Sequence, residues 1–87
     1  MGRRASRVDN TAKTLRAYAE SLGFTVVVLN GVVDSLLVRG SRVVIVDWKS
    51  KGGTLTPDQA KLVARGVPIR FITTPEQLDE LRSEVSI

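Results

Sequence analysis

Apolar residues Val8, Ala12, Leu15, Ala19 and Leu22 recur at alternating intervals of four and three. That spacing lines one face of a helix and predicts one over residues 9–22. Gly23 follows where a helix C-terminus favours a left-handed residue. Residues 24–29 are a short valine-rich run, the composition of a strand. Asn30-Gly31 is a strong turn signal and opens a hairpin. Residues 32–39 and 42–49 are two further strand-like runs, parted by Gly40-Ser41, a loop suited to a type II′ turn. The second run is apolar on both faces, which predicts a central strand.

Thr56-Pro57-Asp58-Gln59 supplies an N-cap, a first-turn proline and a capping-box glutamine. The helix it opens runs to about Arg65, ahead of Gly66. Residues 67–73 read as a strand that Pro68 delays or moves toward an edge. Thr74-Pro75-Glu76-Gln77 repeats the cap and opens a last helix, with Leu78, Leu81 and Val85 on one face. The order α-β-β-β-α-β-α predicts an α/β fold with a mixed sheet: an antiparallel meander, then a helical crossover to a fourth strand. One domain is expected over residues 9–87, preceded by a flexible basic arm at residues 1–8.

Composition narrows the chemistry. With 87 residues, 43% hydrophobic and 25% charged, the chain is a small globular domain. It has no cysteine and no histidine. Disulfides, thiolate metal sites, imidazole zinc sites and histidine-based triads are therefore excluded. Any metal must sit on oxygen ligands, which points to a hard cation such as Mg²⁺ or Mn²⁺. A net charge of +4 and a pI near 10.1 favour a polyanionic partner. Solubility alone would also use such a charge. Arg3, Arg4 and Arg7 in the arm, and Lys51 in a Gly-containing loop, are the candidate phosphate contacts. No apolar run reaches the roughly 20 residues of a membrane span, and the basic N-terminus lacks an apolar signal core. A soluble cytoplasmic protein with no membrane partner is the expectation.

Two acidic residues stand out because Asp34 and Asp47 fall inside otherwise apolar strand-like runs. Burying a carboxylate costs several kcal/mol unless it is paired or metal-bound. A two-residue Gly40-Ser41 loop pairs Arg39 with Arg42, and continuing that register sets Asp34 opposite Asp47. Like charges so placed repel. A divalent cation resolves the conflict, while Lys49, two residues past Asp47, projects from the same face. The competing explanation is a plain salt bridge from Lys49, with Asp34 in solvent at a strand end.

Gly31-Val32-Val33-Asp34, the hairpin, Val46-Asp47-Trp48-Lys49-Ser50 and then Thr56-Pro57-Asp58-Gln59 resemble the PD-(D/E)XK nuclease superfamily. The string is most similar to its small VRR-NUC branch, found in phages and related to Holliday-junction resolvases. The resemblance spans nearly the whole chain and implies a restriction-endonuclease-like core. It also implies that Asp34, Asp47 and the Trp48 backbone carbonyl bind the metal, that Lys49 assists the attacking water, and that Gln59 orients the site. Gln59 also has a complete explanation as a capping residue. Val33 stands where the family often has proline. The acid many relatives carry in helix one has no clear counterpart: Asp9, Asn10 and Glu20 are the nearest, with Glu20 better explained as a solvated helix residue. Trp48 alternates away from the Asp47 face and is expected in the core, and Tyr18 is expected to pack rather than react.

These features predict a metal-dependent DNA endonuclease specific for branched or junction DNA, acting as a homodimer. The alternatives are a non-catalytic nucleic-acid-binding module of the same fold, and an assembly domain in which the charges form an internal ion pair.

Overall fold

The computed structural model describes residues 3–50 and 52–85, with side chains from residue 11 onward. Its elements are α1 (Arg3–Ser21), β1 (Thr25–Val28), β2 (Ser35–Arg39), β3 (Arg42–Trp48), α2 (Pro57–Ala64), β4 (Ile69–Ile72) and α3 (Pro75–Glu84). The chain is thus α/β, with a four-stranded mixed sheet in the order β1-β2-β3-β4. β1, β2 and β3 are antiparallel, and β4 joins β3 in parallel through α2. β3 is internal, as its two apolar faces require, and β4 starts after Pro68 at an edge.

α1 begins at Arg3, so most of the stretch read as a flexible arm is helical backbone. The side chains of Arg3, Arg4 and Arg7 lie outside the described residues, as does Lys51 entirely. Gly40 has φ +63°, and among the described residues no non-glycine has positive φ. Arg39 pairs with Arg42 around that turn, as a two-residue loop with glycine first requires.

The β1–β2 connection differs from the tight Asn30-Gly31 turn. The ladder ends at Val28 and Ser35, and Leu29 N–H then donates to the Asp34 carbonyl at 2.7 Å. Val32 and Val33 therefore belong to a loop, despite their strand-like chemistry. The Val32 carbonyl accepts instead from Gln59 Nε2 of α2, at 2.9 Å.

Alternation divides the sheet into two faces. On one, Leu37, Val46, Trp48 and Ile72 meet Leu15 and Ala19 of α1 and Leu78 and Leu81 of α3, forming the core. α1 and α3 are joined by Tyr18, whose hydroxyl donates to Asp79 Oδ1 at 2.6 Å. That hydrogen bond raises the pKa of the phenol, which disfavours a nucleophilic role. The other face carries Leu36, Ile45, Asp47 and Phe71, with α2 beside it. Among the described residues, no buried side-chain nitrogen or oxygen lacks a partner.

At the sheet edge Arg70 of β4 pairs with Glu84 of α3. Its hydrogen bond lowers the Glu84 pKa. A depressed carboxylate contributes stability that is present above the ordinary glutamate range and lost as pH falls through the lowered value. Glu84→Gln should therefore flatten the acid side of a melting-temperature–pH profile. An unchanged slope between wild type and variant would contradict this.

Candidate active site

β3 delivers Asp47, Trp48 and Lys49 at its C-terminal end, next to the crossover into α2. Open α/β sheets bind ligands outside the carboxyl ends of their parallel strands. Lys49 Nζ lies 3.1 Å from Asp47 Oδ2, and the side chains are only 15% and 13% exposed. Lys49 Nζ also donates to Gln59 Oε1 at 2.9 Å and sits 5.7 Å from the centre of the Phe71 ring. That distance is within cation–π range. Lys49 N–H donates to the Ile72 carbonyl, holding the backbone at the strand end. A Cβ on Gly53 would meet the Ser50 carbonyl at 3.0 Å and the Lys49 stem at 3.5 Å, so the loop packs directly on the lysine.

Gln59 carries two duties. It closes the α2 capping box: its N–H donates to Thr56 Oγ1 and its Oε1 accepts from Thr56 N–H. The same Oε1 takes the Lys49 ammonium, while Nε2 holds the Val32 carbonyl. It is the one buried residue of α2. A helix whose single buried side chain is an amide is not placed by hydrophobic packing alone. Gln77 starts α3 in the same sequence position, and among the described residues its Oε1 accepts only from the Thr73 and Thr74 N–H groups.

No family model, curated protein or solved structure matches the chain.

Asp34 is placed differently from the sequence expectation. It lies just before β2, one step beyond the last β2–β3 pair, Ser35 with Val46. Its Oδ1 accepts from Ser35 Oγ at 2.7 Å and from Arg16 Nη1 of α1 at 3.3 Å. Ser35 is fully buried and its Oγ accepts from Trp48 Nε1 at 3.4 Å. Asp34 is thus tied to the α1 side of the sheet, whereas Asp47, Lys49 and Gln59 gather on the α2 side. The like-charge conflict inferred from register is relieved by two separate cations, Arg16 and Lys49.

Trp48 is in the core as expected, and Glu20 is exposed. The side chains of Asp9 and Asn10 lie outside the described residues. Sequence reasoning missed Arg16 and Ser35. Ser35 had a signal: a hydroxyl inside an apolar strand, on the same face as an indole N–H that needs an acceptor. Arg16 had none beyond its charge.

The donor set contains only oxygen, which suits a hard cation. Among the described residues no group of three His, Cys, Asp or Glu could hold a metal. Two carboxylates remain, each with one oxygen outside the bonds given above. Mg²⁺ is often held by one or two carboxylates together with substrate phosphate and water, but here each carboxylate is paired with a cation on its own side of the sheet.

Proposed function

We propose that this chain is a divalent-metal-dependent DNA nuclease with a restriction-endonuclease-like core of the VRR-NUC type. The observation that carries the reading is the Asp47–Lys49 pair, largely buried and clamped by Gln59. Buried ion pairs are weak stabilisers of a fold, so chemistry accounts for this one better than stability does. Asp47 and the Trp48 carbonyl would hold Mg²⁺ or Mn²⁺, with Asp34 joining them once its carboxylate leaves Arg16. Bound there, the cation supplies Lewis-acid stabilisation of phosphoryl charge and acidifies water. Lys49 offsets charge developing on the phosphoryl oxygens, and Gln59 fixes its ammonium.

Incubation with branched and linear DNA tests this directly. Cleavage is expected with Mg²⁺ or Mn²⁺ and not with EDTA, with branched or junction DNA preferred. Cleavage that persists in EDTA, or that survives both Asp47→Ala and Lys49→Ala, would sink the assignment.

A homodimer belongs to the same proposal. Val27 and Val43 lie on the Asp47 face and are 42% and 58% exposed. α2 leaves that part of the sheet uncovered, as a second subunit would need. Light scattering should give twice the monomer mass, and an active monomer would refute it.

The second reading is a non-catalytic nucleic-acid-binding module. It is favoured by the pairing of both carboxylates with cations and by the lack of a three-ligand cluster among the described residues. It predicts salt-sensitive DNA binding without cleavage, and no heat on titration with Mn²⁺. Among the described residues no helix is long and apolar enough to cross a membrane.

A further inference from the structure

A cleft of about 390 Å³ lies between α1 and the C-terminal end of β3, lined in part by Lys13, Arg16, Asp34, Trp48 and Ser50. Lys13 and Arg16 are three residues apart on α1, hence on one face. With Asp34 they give this part of the wall two positive charges against one negative. Arg16 spends one N–H on Asp34, and among the described residues its guanidinium makes no other bond. The pair is long and single-stranded in its bonding, at 3.3 Å, with both side chains 29% exposed. Pairs so exposed are weak and exchange readily. A phosphate offers the guanidinium a two-pronged, charge-assisted contact that this arrangement lacks.

Resting on the nuclease reading, we propose that Lys13 and Arg16 bind the phosphate backbone of the nucleic acid in this cleft, and that Arg16 exchanges between two partners. In the free protein it holds Asp34. With substrate present it takes a phosphate and leaves the Asp34 carboxylate to the divalent cation. Phosphate and cation then assist one another, because each removes the other's competitor. Such coupling must be reciprocal.

Two binding measurements on the full chain test this without relying on turnover. In EDTA, anisotropy of a short labelled DNA duplex should show Arg16→Ala binding about fivefold or more weakly, with the salt slope reduced by about one. Lys13→Ala should weaken DNA binding in the same direction, and Arg16→Lys should recover part of the loss. Without DNA, titration calorimetry should show Mn²⁺ binding to Arg16→Ala up to about fivefold more tightly than to wild type. Opposite signs in the two assays are what a merely damaged fold cannot produce. Weaker or unchanged Mn²⁺ binding in Arg16→Ala, or unchanged DNA binding, overturns the exchange. If wild type gives no Mn²⁺ heat, the metal reading fails and the exchange fails with it. If wild type binds Mn²⁺ and only the Arg16 effects are missing, the exchange fails alone.

Discussion

Asp47→Asn is expected to lower metal-dependent DNA cleavage on the order of a thousandfold, with the fold retained. Asparagine keeps the size of the side chain and an oxygen that can accept from Lys49 Nζ, now 3.1 Å from Asp47 Oδ2. What it removes is the negative charge on which a hard cation depends. Lys49→Met should cost on the order of a hundredfold or more, because it deletes the charge that faces the phosphoryl group. Each single variant leaves a mostly buried partner without its counter-charge, so some stability is lost as well. The double variant Asp47→Leu with Lys49→Met separates the two effects. Replacing a buried pair by apolar side chains of similar size is often neutral or stabilising. Phe71, beside the lysine, and Ile45, two residues before Asp47 on the same face, offer apolar neighbours. Its melting temperature should equal or exceed that of wild type, with cleavage gone. A stable double variant that still cleaves DNA would remove the cluster from the chemistry altogether.

The sheet was legible because its rules are local. Gly40 marked the β2–β3 turn, the two apolar faces of β3 marked an internal strand, and Pro68 marked the late start of β4. Asp47 and Lys49 were legible as neighbours because alternation puts every second residue of a strand on one face. Asp34 was only half legible. Register set it opposite Asp47 across the hairpin, but its side chain is held by Arg16 and Ser35. No spacing rule connects a residue in helix one to a loop eighteen positions later. The same limit applies to Val32, whose β-branched side chain reads as strand while its carbonyl is claimed by Gln59. Long-range polar contacts decided both cases, and periodicity carries no information about them.

Gln59 and Gln77 provide the sharpest comparison within one chain, since both sit three residues after a threonine N-cap. Gln77→Ala should cost about 1 kcal/mol or less, the ordinary value of a lost cap interaction. Gln59→Ala should cost about 2–3 kcal/mol, because it also strips the Val32 carbonyl and the Lys49 ammonium of a partner. Urea denaturation measures the difference directly, as a shift in midpoint at constant slope. Gln59→Glu splits the duties further. A carboxylate can still cap α2 and accept from Lys49, but it has no N–H to offer Val32. It should recover part of the stability while leaving the loop that carries Asp34 less restrained. On the nuclease reading, Gln59→Ala also slows cleavage by about 10- to 100-fold, the scale of a lost positioning contact, whereas Gln77→Ala leaves the rate unchanged. Equal losses of stability and rate for the two alanine variants would reduce Gln59 to a helix cap and leave Lys49 positioned by Asp47 and Phe71 alone.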